Sequence, residues 1–209
     1  MEQDIVSHFQ PLIVGVGGTV RADSSSEKAL KVSLSVAEKL GAKTVLLGGK
    51  DIDLPTYNPE EQSRTPQAQR LVRLLRRANG IIIASPGYHG SISGMIKNAL
   101  DYTEDMRDDE LPYFEGRAVG CIATAYGWQA TGSTLSTVRS IVHALRGWPT
   151  PLGAGINSAE PVFDGSGRCI NERASIQLEC VGRQVVEFAY AQLAYRQRHG
   201  IPEQWRAAA

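Results

Sequence analysis

Cysteine is scarce in this 209-residue chain: Cys121, Cys169 and Cys180 are three, and far apart. That number and scatter exclude a disulfide framework and a cysteine-rich zinc site, and suit a reducing compartment. No charge sign predominates, because Lys plus Arg and Asp plus Glu each number 22. A balanced chain has no global field to draw it onto nucleic acid or anionic lipid. No apolar run approaches the length a membrane span requires. The first residues carry Glu2 and Asp4 and lack a basic start followed by an apolar stretch. We therefore expect no signal peptide, no membrane partner, no nucleic-acid partner and a cytoplasmic setting. Internal repeats and low-complexity segments are also missing. The remaining composition, 42% hydrophobic and 21% charged, is that of an ordinary globular protein.

What is present is an alternation of strand and helix signals. Leu12 to Val16 is a short continuous apolar run ending in Gly17 and Gly18, as a strand buried on both faces reads. Ser24 to Ser26 can cap a helix that carries Leu30, Leu34, Ala37 and Leu40 on one face and stops at Gly41. Thr44 to Leu47 reads as the second strand, and Asp51 to Arg64 as a long loop. Thr65-Pro66 opens a second helix with Leu71, Leu74, Leu75 and Ala78 inward. Its Arg70, Arg73, Arg76 and Arg77 are expected on a solvated face. Ile81 to Ala84 is the third strand, followed by a helix expected from about Ser91 to Glu104 and a solvated acidic loop, Asp105 to Glu110. Ala118 to Ala123 is the fourth strand, and Leu135 to Leu145 marks the next helix. Pro149 to Ile156 contains a fifth strand. Phe163 to Gly167 is turn chemistry suited to a small hairpin, and a last helix is expected from Glu172 to Arg196.

This order predicts an α/β fold, a doubly wound five-stranded parallel sheet with helices on both faces. Residues 1–209 read as a single domain, with 1–10 and 198–209 as loose tails. In such sheets ligands sit at the strand C-termini, where the strand order reverses. Three loops therefore matter.

The first runs Gly17-Gly18-Thr19-Val20-Arg21-Ala22-Asp23-Ser24-Ser25-Ser26 into a helix N-terminus. Free backbone N–H groups and the helix dipole favour an anion there. Thr19 and the serines add hydroxyls, and Arg21 adds a planar cationic fork suited to phosphate. The dinucleotide fingerprint fails, because Val20 stands where its third glycine belongs, and the Gly-Lys of a P-loop is missing. A phosphate cradle for a mononucleotide remains, alongside a plain glycine turn with a serine cap.

The second runs Ser85-Pro86-Gly87-Tyr88-His89-Gly90-Ser91-Ile92-Ser93-Gly94-Met95-Ile96-Lys97-Asn98-Ala99-Leu100-Asp101. Pro86 and Gly87 force an irregular path at the sheet edge, and Tyr88 and His89 are planar groups able to flank a flat ring. Gly94 in the helix pattern suggests close approach of a ligand or chain. A strand followed by Ser-Pro-x-Tyr-x-Gly-x-x-x-Gly-x-x-Lys-Asn-x-x-Asp resembles the signature of the NADPH-dependent FMN reductases. These flavodoxin-like proteins include flavin, quinone, chromate and azo reductases. Gly18, Thr19, Arg21, Ser24 and Ser26 are similar to the family's first loop, and Asp53-Leu54-Pro55 to its Asp-Leu-Pro segment.

The resemblance implies a flavodoxin-like architecture, with FMN and NADPH (or NADH) as cofactors. It implies that Thr19, Arg21, Ser24 and Ser26 hold the FMN phosphate, and that Pro86, Gly87, Tyr88, His89 and Gly90 wrap the isoalloxazine. Tyr126 and Gly127, in the loop after strand four, would meet the flavin's pyrimidine edge, although Tyr126 and Trp128 are bulkier than the family's usual glycine-rich loop. Trp128 could equally pack under the loop. Lys97 and Asp101 lie on the helix that pairs subunits in this family, or form a surface pair four residues apart. His143 reads as a packed or surface residue. The expected partners are a second copy, as a homodimer or homotetramer, and a flavin-dependent monooxygenase. Hydride transfer between two cofactor rings requires no catalytic acid, base or metal. Two readings compete with a reductase of diffusible flavin: an enzyme that keeps its FMN and reduces quinones, azo dyes or metal oxyanions, and an electron carrier of the flavodoxin kind.

Overall fold

The computed structural model describes residues 10–200. Five strand positions form one parallel sheet, in the order β2-β1-β3-β5-β6. These are β1 (Leu12–Gly17), β2 (Lys43–Leu47), β3 (Gly80–Tyr88), β5 (Ala118–Ala125) and β6 (Trp148–Pro149). Counting strand positions, the order is 2-1-3-4-5, that of flavodoxin-like sheets, and it reverses beside β1. The expected five strands become seven. β4 (Ser91–Ile92) pairs antiparallel with the end of β3, and β7 (Ala154–Asn157) continues the edge beyond β6, also against β5.

Successive residues of a strand point to opposite faces, and here each face has its own core. Val14, Val16, Ile81, Ile83, Val119 and Cys121 face one side with α2 (Pro66–Arg77), α3 (Gly94–Asp101) and α4 (Trp128–Ala144). Ile13, Ile82, Ala84 and Ile122 face the other with α1 (Ser25–Lys39) and α5 (Glu172–His199). The continuous apolar runs read from the sequence follow from this two-sided burial. Helix starts are set locally: Ser24 Oγ accepts the Glu27 N–H, Thr65 Oγ1 that of Ala68, Ser93 Oγ that of Ile96, and Asn171 Oδ1 that of Ala174.

Three expectations are corrected. The helix expected from Ser91 begins instead at Gly94, because Ser93 is its cap and Ser91 belongs to β4. It ends at Asp101, and Tyr102–Met106 follows as a 3-10 turn. The last helix continues to His199, so Arg198 and His199 are not part of a loose tail; residues 1–9 and 201–209 lie outside the described residues. Arg73 and Arg77 of α2 are exposed as expected, but Arg70 pairs with Asp51, and the acidic loop is tied to arginines rather than solvated alone. Arg64 forks onto Asp105 with two bonds of 2.8 and 2.9 Å, and Arg76 reaches Asp109 at 2.6 Å. These pairs fasten the acidic loop to the start and end of α2. The expected turn at Phe163 to Gly167 is present, closed by an antiparallel bridge between Phe163 and Cys169. No helix among the described residues is long and apolar enough to cross a membrane.

Candidate functional site

At the C-terminal edge of the sheet, the loops after β1, β3, β5 and β7 enclose a cleft of about 360 Å³. That volume lies within the range of small-molecule sites. Thr19, Arg21, Ser24 and Ser26 stand at one end, with Ser25 between them. Pro86, Gly87 and Tyr88 form one side, and Thr124, Ala125 and Tyr126 the other. The two strand-end motifs of the sequence therefore meet in one cavity.

The first loop is organised by its own side chains. Thr19 Oγ1 accepts the Arg21 N–H and donates to the Arg21 carbonyl, both at 3.1 Å, so its first task is to fold the loop. Ser24 Oγ caps α1 and lies 3.2 Å from Ser26 Oγ, and both serines are buried. The Arg21 side chain is exposed and has no acidic partner among the described residues. Among the described residues it is the one charged side chain lining the cleft, and no carboxylate does so. A cation, hydroxyls and a helix N-terminus are the kinds of group that favour a phosphate.

The opposite side is built by a hairpin that periodicity does not reveal. β3 runs past the sheet to Tyr88, pairs with Ser91 and turns through His89 and Gly90. Both have positive φ, 51° and 84°, as a two-residue type I′ turn requires. His89 and Gly90 thus occupy the hairpin tip and stand off the cleft lining, while Tyr88 remains on it, 54% exposed. Gly87 lacks a side chain for a different reason than ring contact. A Cβ there would run into Thr134 Oγ1 and Ala125 Cβ, so the glycine lets α4 pack against β3. Among the described residues nothing lies within 4 Å of where a Cβ on Gly94 would stand, and Gly94 is the first residue of α3.

Gly127 also stands behind the lining. Its φ is 95°, and its N–H donates to Asn157 Oδ1 at 2.8 Å, so that donor is already used. Tyr126 projects at the rim, 82% exposed, and Trp128 is half exposed with the Arg173 guanidinium 5.4 Å above its ring. Ser25, Thr124, Ala125 and Ser158 line the cleft without having been singled out in the sequence. Thr124 and Ala125 end β5, so the strand-end rule reaches them. Ser158 follows β7, whose place in the sheet the sequence blurs.

Two further signature residues hold structure around the cleft. Asn98 accepts the Tyr57 N–H at 2.8 Å and donates to the Leu54 and Pro55 carbonyls, pinning the loop after β2. Lys97 pairs with Asp101 on the α3 surface. His143 is exposed, far from the cleft, beside a second concavity of about 420 Å³ at the other end of the sheet. Ligands of doubly wound sheets bind at strand C-termini, so the smaller cleft is the functional candidate.

A family model described as NADPH-dependent FMN reductase matches residues 11–160, from the start of β1 to just beyond β7. The chain belongs to this family. An NAD(P)H-dependent FMN reductase of Pseudomonas aeruginosa is 25% identical over 166 residues, covering 78% of this chain and 86% of that protein. An FMN-dependent NADPH-azoreductase of Staphylococcus saprophyticus is 32% identical over 139 residues, covering 66% and 70%. Among solved structures, the flavoenzyme NAD(P)H:(acceptor) oxidoreductase FerB of Paracoccus denitrificans superposes with a TM-score of 0.68 at 24% identity. That superposition covers 87% of this chain and 98% of the other, and shows the shared flavodoxin-like fold. As an FMN reductase family member, the chain is an NAD(P)H-dependent flavin oxidoreductase.

Proposed function

We propose that the cleft at the ends of β1, β3 and β5 is where FMN is held for reduction by NAD(P)H. One observation carries this reading: the unopposed Arg21 and the serine-capped α1 stand at one end of a cavity whose other walls are Pro86, Gly87, Tyr88 and Tyr126. Arg21, Ser24, Ser25 and Ser26 receive the phosphate, with Thr19 shaping the loop beneath them. The flat backbone of Pro86 and Gly87 and the rings of Tyr88 and Tyr126 bracket the isoalloxazine, and His89, Gly90 and Gly127 set the turns that aim those rings. Bound there, FMN supplies the hydride-accepting ring, and the chain needs no acid or base of its own. Its task is to align two planar cofactors and limit water at their contact.

The electrons would serve a second acceptor at this cleft, or a flavin-dependent monooxygenase supplied with reduced flavin. The exposed Tyr126 and Trp128 leave room beside the flavin wall for an acceptor or for the nicotinamide. Three free cysteines support a cytoplasmic setting, and the exposed Trp148, Ile176 and Tyr195 support a homodimer or homotetramer. An anaerobic titration of the FMN-loaded protein with NADPH and with NADH tests the core of the proposal. Stoichiometric bleaching of the flavin absorbance by either nucleotide is expected, and the ratio of rates gives the preference. FMN that binds but is bleached by neither would leave a carrier, not a reductase.

A further inference from the structure

Tyr126 presents a problem of placement. Its side chain is 82% exposed, so packing does not fix it, yet it lines the cleft. The residues on each side of it are tied to the turn that follows β7. The Ala125 carbonyl accepts the Ser158 N–H at 2.9 Å, and the Gly127 N–H donates to Asn157 Oδ1 at 2.8 Å. Asn157 is only 8% exposed and makes two further bonds. Oδ1 also accepts the Ala159 N–H at 3.1 Å, and Nδ2 donates to Glu160 Oε1 at 3.0 Å. The amide orientation follows from these partners, since a flipped group would set NH₂ against two N–H donors and oxygen against a carboxylate.

We infer that Asn157 is a positioning residue for the FMN cleft, with Glu160 as the group that orients its amide. The inference rests on the flavin reading of the cleft. Asn157 reaches no ligand itself; it holds the Ala125–Gly127 segment at the one register in which Tyr126 stands over the cavity. Backbone bonding holds the Ala125 end and the Gly127 carbonyl, which accepts the Thr131 N–H at 3.1 Å as α4 begins, but leaves the Gly127 N–H to the Asn157 side chain. The positive φ of Gly127 gives that end unusual conformational latitude, which the Asn157 bond removes. Glu160 has a second part to play: facing a carboxylate, the amide of Asn157 presents its oxygen to the loop and its nitrogen to the turn.

The test uses FMN titrations by fluorescence quenching and amide hydrogen exchange at Gly127 in the FMN-free chain. Asn157→Ala removes all three bonds, and should speed Gly127 exchange and weaken FMN binding each about tenfold, the share of the one bond to Gly127. Asn157→Asp keeps both N–H acceptors but sets a carboxylate against Glu160, and should also weaken FMN binding. Adding Glu160→Gln to Asn157→Asp again pairs a donor with an acceptor, now with the glutamine NH₂ donating to the aspartate, and should recover most of the affinity, a rescue that general loss of packing would not give. Unchanged Gly127 exchange in Asn157→Ala, wild-type FMN affinity in that variant, or no recovery in the double variant each overturns the inference. A wild-type chain that takes up no FMN sinks the flavin reading itself, whereas wild-type uptake equalled by Asn157→Ala sinks only the role of Asn157.

Discussion

Replacing Arg21 with alanine tests the phosphate end of the cleft with little risk to the fold. The side chain is exposed, and the local loop is held through the Arg21 backbone, whose N–H and carbonyl both bond Thr19 Oγ1. Truncation therefore removes a charge and a fork without removing a structural contact. A hydrogen bond to a charged group contributes about 1.5–3 kcal/mol. For an exposed guanidinium the lower end applies, so FMN affinity should fall about tenfold. Riboflavin has the same ring and no phosphate, and its affinity should stay within about twofold. The quantity to follow is the ratio of FMN to riboflavin affinity, measured by fluorescence quenching at low and high salt. In the wild type that ratio should shrink as ionic strength rises, because added salt shortens the screening length around an exposed charge. Arg21→Lys keeps the charge, loses the bidentate geometry, and should fall between the two. If Arg21→Ala weakens FMN and riboflavin equally, or leaves the ratio untouched, Arg21 does not receive the phosphate.

Three further outcomes follow from packing and burial. Gly87→Ala should cost about 1–3 kcal/mol in urea melts of the FMN-free chain, the usual penalty of overpacking, because Thr134 and Ala125 occupy the space of the new methyl. Adding Thr134→Ala should recover part of it, and a fully stable single variant would refute that account. Two helix glycines should respond with opposite signs. Gly132→Ala in α4 meets nothing within 4 Å and should stabilise by up to about 1 kcal/mol, whereas Gly182→Ala in α5 would press on the Ser33 carbonyl of α1 and should destabilise. Equal thermal shifts would contradict this. Burial pushes the Cys121 thiol up to about 12 from 9.0, so the folded chain keeps a proton that the unfolded chain releases. Its stabilising effect is complete below pH 9 and is lost as pH rises towards 12. Between pH 8 and 10 the wild type should therefore lose roughly 1 kcal/mol more than Cys121→Val, and parallel pH slopes would refute the assignment.

Features set by neighbouring residues were legible in the sequence. The Ser24 cap, the Thr65-Pro66 start and the Ile81 to Ala84 strand are each decided within a few residues. The β3–β4 hairpin was not, because its turn puts His89, not the more usual Asn or Asp, at positive φ ahead of Gly90. The clasp of Arg64 on Asp105 and Arg76 on Asp109 joins residues 41 and 33 positions apart, and no local pattern announces it. Asn98 shows a similar limit. It stands in the signature, yet its three bonds to residues 54–57 appear only once α3 and the loop after β2 are brought together. For the site, residue types at the strand ends indicated the cleft. Which glycine serves the ligand and which serves a helix depended on what lies behind it, as Gly87 and Thr134 demonstrate.

The split fifth strand explains why the cleft has its fourth wall. Against β5, Val119 pairs with Pro149 and Ile122 with Ala154. Three steps along β5 are therefore matched by five along the edge, so Thr150 to Gly153 carries two extra residues. The jog is held in place: Arg139 donates to the Thr150 carbonyl at 2.8 Å, Thr150 Oγ1 to the Leu152 carbonyl at 2.8 Å, and the Leu152 N–H to Gln184 Oε1 at 3.2 Å. Side chains alternate with a period of two, so an insert of two preserves which residues face each core, while an insert of one would exchange them. Ala154 and Ile156 thus stay buried against the α1–α5 side. The same shift decides what stands opposite Ala125. In the register of β6 it would be Gly155, which has no side chain to offer; in the observed register it is Asn157, whose amide reaches Gly127. An apparent irregularity at the sheet edge thereby delivers a hydrogen-bonding side chain to the loop that carries Tyr126.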